Sequence, residues 1–146
     1  MPKIIDILDT ADLLKAHLEQ VEDIDGVAVI VNRQKDLENE LSQTVAGLSG
    51  AAVIIEPVSG SLPEPSSATL QFDHRYVVSL WSQPILSDPQ AVPASRRLVS
   101  IIRAVHHWRP ALTNIPTTRM QVQGWSISQN ESYLIYAIDA TLTEIL

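Results

Sequence analysis

Between residues 70 and 80, apolar and polar side chains occupy alternate positions of the chain. One set is Leu70, Phe72, His74, Tyr76, Val78 and Leu80, and the other includes Gln71, Asp73, Arg75 and Ser79. A period of two places each set on its own face of a β-strand. Residues 70–81 are therefore predicted to form a long strand, half of an extended β-hairpin. Because only one face of this strand is apolar, the rest of the chain has to cover that face.

Three segments carry apolar residues at intervals of three and four, the spacing of an amphipathic helix. They span residues 2–21, 37–48 and 95–108. We expect Gly47 or Gly50 to end the second helix, because glycine readily adopts the left-handed conformation of a helix end. Pro93 or Ser95 begins the third helix and Pro110 stops it.

The remaining apolar runs predict strands at residues 27–31, 51–55, 119–128 and 131–144, with a bulge at Gly124 and a turn near Asn130. Residues 57–67 and 84–93, rich in Pro, Gly and Ser, are predicted to be loops. A chain of 146 residues fits one domain. The predicted fold is α/β of the α+β type: a mixed, mostly antiparallel sheet with helices packed on one face.

Composition excludes several kinds of site. The chain has no Cys, which excludes disulfides, thiolate zinc sites and a Cys nucleophile. Its five glycines form neither phosphate-binding motif, and the string at residues 47–50 lacks half of a serine-hydrolase elbow. Apolar runs are too short for a membrane span or a signal peptide, which predicts a soluble protein made in the cytoplasm.

Charge is unevenly distributed along the sequence. Residues 1–40 carry ten acidic and four basic residues, whereas residues 89–130 carry five arginines and no acid. Of these, Arg96, Arg97 and Arg103 lie on the third predicted helix. A chain with an acidic end and a basic end can contact copies of itself or a partner of one sign; the alternative is a solvated face with ordinary ion pairs. Since Arg96 and Arg97 oppose the helix dipole, a compensating partner is expected.

Aromatic residues and titratable groups give few further candidates. Core packing is the default role of the tryptophans. Because Trp81 falls on the polar phase of its strand, an exposed indole at a subunit interface is the alternative, and Trp125 is a second interface candidate. His74, His106 and His107 lack metal-ligand spacing. His74 is expected on the apolar face of its strand, and His107 on the solvated face of its helix. We therefore predict no metal or cofactor.

The order of elements resembles that of the tail terminator proteins of tailed bacteriophages. The resemblance lies in the N-terminal helix, the Pro- and Ser-rich loop, the strand at 70–81, the helix at 95–108 and the closing hairpin with Tyr133 and Tyr136. It implies a non-catalytic subunit of a ring, typically a homohexamer, that ends tail-tube polymerisation and joins the tube protein to the head connector. In such a virion ring, DNA passes through the lumen without specific binding.

Three alternatives remain open. One is another head–tail connector or minor tail protein. The second is a small hydrolase or nuclease that uses Asp23, Asp25 and Glu56 with a divalent metal. The third is a monomeric adaptor that docks its arginine face on an acidic partner.

Overall fold

The computed structural model describes residues 7–32, 51–61, 71–82, 93–110, 119–129 and 133–145. Helix α1 spans Ile7–Leu18 and is followed by a 3₁₀ turn at Glu22–Ile24. Helix α2 spans Ala94–Val105. The strands are β1 (Ala28–Val31), β2 (Ala51–Ser61), β3 (Gln71–Ser82), β4 (Gln121–Gln129) and β5 (Leu134–Ile145). The predicted helix at 37–48, with its proposed ends at Gly47 and Gly50, and the loop at 84–92 lie outside the described residues.

One mixed sheet contains all five strands, in the order β1-β2-β3-β5-β4. Strands β1 and β2 are parallel, whereas β2–β3, β3–β5 and β4–β5 are antiparallel pairs. Strand β3 therefore lies at the centre, which explains why its apolar phase is so regular. This sheet with two helices confirms the predicted α+β class.

The main core lies between the helices and one face of the sheet. Tyr76, Val78 and Leu80 of β3 are fully buried there, as the alternation predicted. Helix α1 packs against β1 and β2, and α2 packs against β3, β4 and β5. The two helices also contact each other. They therefore form one layer on a single face of the sheet, with α1 over β1 and β2 and α2 over β3, β4 and β5.

The opposite face of the sheet has a smaller apolar cluster. It is built on Ala52 and Ile54 of β2, both with no exposed surface, against which Trp81 and Tyr133 pack. Trp81 does lie on the phase opposite Tyr76, as predicted. Its indole, however, is partly buried, contacts the Tyr133 ring edge-on at 5.4 Å and donates a hydrogen bond to Ser79 Oγ. The expectation of an exposed indole at Trp81 is therefore wrong.

The prediction of a loop at residues 57–67 is wrong for residues 57–61, because β2 continues to Ser61, which pairs with Asp73 of β3. The register shifts between Pro57 and Ser59, beyond the last β2 residue that pairs with β1. A bulge without a second partner strand is a position where a strand tolerates the missing N–H of proline. Residues 62–67 lie outside the described part of the chain.

Helix α2 ends three residues before the predicted position. His107 adopts a left-handed φ of 66°, and its N–H donates to Met120 O at 2.7 Å. In return, Met120 N–H donates to Trp108 O at 2.6 Å. Met120, next to β4, thus binds the His107 N–H that a longer helix would use, and His107 does not lie on a helix face as predicted.

Candidate subunit interface

Strand β4 is an edge of the sheet. It pairs with β5 on one side, and no described strand pairs with its other side. The sequence of β4, QVQGWSISQ, contains no charged residue and no proline. Charges and prolines are the usual means by which proteins prevent edge strands from adding further strands. Within the described part of the chain, the outer edge of β4 is therefore open to pairing with another chain.

The predicted bulge in β4 is confirmed and determines which way its aromatic side chain faces. Val122 pairs with Ala140, and Gly124 pairs with the next residue, Asp139. The extra residue shifts the alternation, so that Trp125 lies opposite the buried Ile138, on the helix-covered face of the sheet.

Trp125 and Ile127 nevertheless remain exposed, at 55% and 52% of their surface. They sit at positions on the edge strand that the helix layer does not cover. Trp125 was a predicted interface residue, whereas Ile127 was not, although its spacing of two from Trp125 indicated that both share one face of the strand. Together they form an apolar pair beside the open edge, which we call the β4 patch.

A carboxylate on the 3₁₀ turn meets the first turns of α2. Arg96 Nη2 lies 3.3 Å from Asp23 Oδ1, and the Ser100 hydroxyl donates to Asp23 Oδ2. Arg97 Nε donates to the backbone oxygen of Asp23 at 3.2 Å. Asp23 is thus the compensating partner that the arginines at this helix N-terminus were expected to need.

The same contacts shift the ionisation of these groups. The hydrogen bond from Ser100 and, after it, the charges of Arg96 and Arg97 hold the pKa of Asp23 below its usual value, although desolvation opposes the shift. Burial lowers the pKa of the Arg97 guanidinium, which its proximity to Asp23 partly offsets.

The three candidate arginines of α2 differ in how far they reach solvent. Arg97 is only 8% exposed, so it supports the monomer fold and is not offered to a partner, contrary to its predicted interface role. The Arg96 side chain is 68% exposed despite its ion pair, and Arg103 is exposed as well.

The residues of the hypothetical metal-dependent enzyme are not brought together. Asp23 contacts α2 within the helix layer. Glu56 follows Ile54 by two positions along β2 and therefore belongs to the opposite face of the sheet. It accepts a hydrogen bond from Asn32 at 3.2 Å. Asp25 is exposed near the 3₁₀ turn.

The histidines make structural contacts. His106 and His107 stack with ring centroids 4.0 Å apart, and His106 Nδ1 accepts the N–H of Val122. His74 is half-buried on β3, on the same strand phase as Tyr76. Across the described ranges, no three His, Asp or Glu side chains cluster in a way that could hold a metal ion.

No protein-family model matches the chain, and no curated protein is significantly similar to it in sequence. Within the described residues, neither helix is long and apolar enough to cross a bilayer.

Proposed function

We propose that this protein is a structural subunit that assembles with copies of itself into a ring, as a tail terminator of a tailed bacteriophage does. The observation that carries the proposal is the open β4 edge beside the exposed Trp125 and Ile127. An edge strand with neither charge nor proline, next to two large apolar side chains, is suited to burial against another chain.

The distribution of charge supports contacts between unlike surfaces. The exposed Arg96 and Arg103 lie on α2, which packs over β3, β4 and β5, whereas the exposed Asp9 and Asp12 lie on α1, which packs over β1 and β2. A subunit whose two sides differ forms head-to-tail contacts, which close into rings when the rotation between neighbours permits. In the proposed assembly, a ring of about six copies contacts the tail tube protein on one face and the head connector on the other.

The proposal also assigns a role to the net charge of −7. A lumen without excess positive charge lets DNA pass without adhering to it, because nonspecific DNA binding depends on neutralising phosphates with Lys and Arg. In this proposal, the protein is a non-enzymatic component of the virion tail and is made in the host cytoplasm.

Light scattering over a concentration series, at low and high salt, tests the assembly. We expect a closed species of about six copies or a monomer that assembles as concentration rises, and electron microscopy should show a ring with an open centre. A mass of 16.1 kDa under every condition would overturn the proposal.

The β4 patch is tested with a double variant, Trp125→Ser with Ile127→Ser. This variant should remain folded, because both side chains are exposed, but should lose assembly. Val58→Ser is the matched control, because Val58 is 51% exposed and lies on β2. Assembly that survives in the double variant, or is lost equally in the control, would count against the open edge as the contact.

Assembly alone does not identify a tail protein. The purified ring should bind the open end of tail tubes and stop their elongation when it is added to a polymerising tube protein. A ring that forms but leaves tube length unchanged would favour another connector or minor tail protein.

A further inference from the structure

The outward surface of α2 carries two arginines with an apolar residue between them. Arg96, Val99 and Arg103 are spaced by three and four residues and therefore share one helix face. All three are exposed, and Val99 has 46% of its surface in solvent. We call these three residues the basic stripe.

Helix α1 carries a matching stripe of opposite charge. Asp9, Asp12, Ala16 and Glu19 recur at intervals of three, four and three, and all are exposed. Glu19 continues the helical geometry past Leu18, since its N–H donates to Lys15 O at 2.9 Å. We call these four residues the acidic stripe. Its small residue, Ala16, lies between Asp12 and Glu19, as Val99 lies between the two arginines of the basic stripe.

The two stripes belong to different halves of the helix layer. Helix α1 packs over β1 and β2, and α2 packs over β3, β5 and β4. A contact between a basic stripe and an acidic stripe therefore joins the α2 half of a first copy to the α1 half of a second. The α2 half also includes the β4 edge.

We propose that the basic stripe of one copy docks antiparallel on the acidic stripe of another copy, with Val99 against Ala16. In this register Arg103 lies four residues beyond Val99 and meets Asp12, four residues before Ala16. Arg96, three residues before Val99, meets Glu19, three residues after Ala16. Both charged pairs are then separated by seven residues, about 10 Å along each helix.

The position of the apolar residue Val99 favours the antiparallel direction over the parallel one. A parallel alignment can also pair both arginines with Asp12 and Glu19, because the seven-residue spacings are equal. It then places Val99 against Lys15 and leaves Ala16 unmatched. Only the antiparallel alignment pairs all three positions.

The internal ion pair of Arg96 is compatible with this docking. A guanidinium has five N–H donors, and the contact with Asp23 uses one terminal nitrogen, Nη2, at 3.3 Å. Arg96 can therefore bond a second carboxylate without leaving Asp23. Arg103 has no such internal role in the described residues and is the cleaner position for a test.

The inference rests on the proposed self-assembly, and paired charge reversals test it separately. Arg103→Glu and Asp12→Arg each place like charges at the Arg103–Asp12 contact, so each variant alone should assemble at least about tenfold more weakly than the wild type. When the two variants are mixed in equal amounts, every contact again pairs opposite charges. Light scattering should then show assembly restored in the mixture, with copies alternating.

Two exposed residues away from the stripes provide matched controls for the change in net charge. Arg109→Glu and Asp25→Arg should assemble like the wild type. Circular dichroism and thermal unfolding should show that all four variants keep the fold, because the substituted side chains are exposed.

The outcomes separate this contact from the proposed function. If the wild type assembles and the single variants assemble equally well, or if mixing restores nothing, the stripe contact is overturned and the ring proposal stands. If the controls weaken assembly as much as the stripe variants do, only overall charge matters and the contact is again overturned. A wild type that never assembles overturns both.

Discussion

His17 on the last turn of α1 is joined to Ala104 near the end of α2. The imidazole Nε2 lies 2.9 Å from the Ala104 carbonyl oxygen, and the ring stacks on Trp108 with centroids 5.7 Å apart. Side chains from segments separated by about ninety residues thus connect the ends of the two helices. His17 therefore connects α1 to the end of α2. Its position in the amphipathic pattern of α1 did not predict this contact.

Replacing His17 with Ala removes both contacts of the ring. A hydrogen bond of this kind contributes about 0.5–1.5 kcal/mol and an aromatic pair about as much. We expect the free energy of unfolding to fall by about 1–3 kcal/mol in urea denaturation. His17→Phe, which keeps the stacking alone, should lose about half of that; equal losses for the two variants would assign the effect to the hydrogen bond.

Asp23 should make stability depend on pH in the acidic range. Its pKa is lower in the folded protein than in the unfolded chain, so its ionisation stabilises the fold above the unfolded pKa of about 4. This contribution is lost as pH falls below that value. Asp23→Asn should therefore be less stable than the wild type at pH 7, and the difference should shrink towards pH 3 in thermal unfolding. A difference independent of pH would point to packing rather than charge.

Two glycines offer a comparison of backbone conformation without a change in packing. A Cβ added at Gly26 or Gly124 meets no atom within 4 Å, but Gly26 has a φ of +79°. Gly26→Ala should lower the free energy of unfolding by about 1–2 kcal/mol, the cost of a left-handed conformation. Gly124→Ala should have little effect or stabilise slightly. If both substitutions cost the same, the left-handed turn is not what requires glycine at position 26.

Substitutions at two β-branched residues of α2 test core packing and surface contact separately. Ile101 is completely buried, whereas Val99 is 46% exposed. Ile101→Ala should cost about 2–5 kcal/mol in chemical denaturation of the monomer. Val99→Ala should change monomer stability by less than about 0.5 kcal/mol. A large loss for Val99→Ala would show that this residue packs within the monomer and would remove it from the basic stripe.

The elements with a strong periodic signal were predictable from sequence. Alternation fixed the faces of β3, three- and four-residue spacing located α1 and α2, and the glycine beside Trp125 indicated the bulge. The expected partner of the α2 arginines was found in Asp23. These predictions succeeded because each depends on side chains close together in the chain or on a general rule of helix electrostatics.

The predictions from sequence were wrong where contacts with distant segments determine the local structure. Helix α2 ends at Val105 because Met120 binds the backbone of His107 and Trp108. Arg97 is buried because the 3₁₀ turn presents a backbone carbonyl to it, and Trp81 is partly buried because Tyr133 and Ala52 surround it. None of these partners is near in sequence, so neither spacing nor composition could reveal them.

The bulge in β4 has a consequence for how this surface can change. If Gln123 were kept in a regular strand without the bulge, strict alternation from Val122 would place Trp125 on the far face of the sheet and Ser126 on the helix side. Deleting Gln123 would instead leave Val122, Gly124 and Trp125 alternating regularly, so Trp125 would stay opposite Ile138. The bulge and the residue it accommodates therefore compensate each other, and the strand can lose both without exchanging its two surfaces.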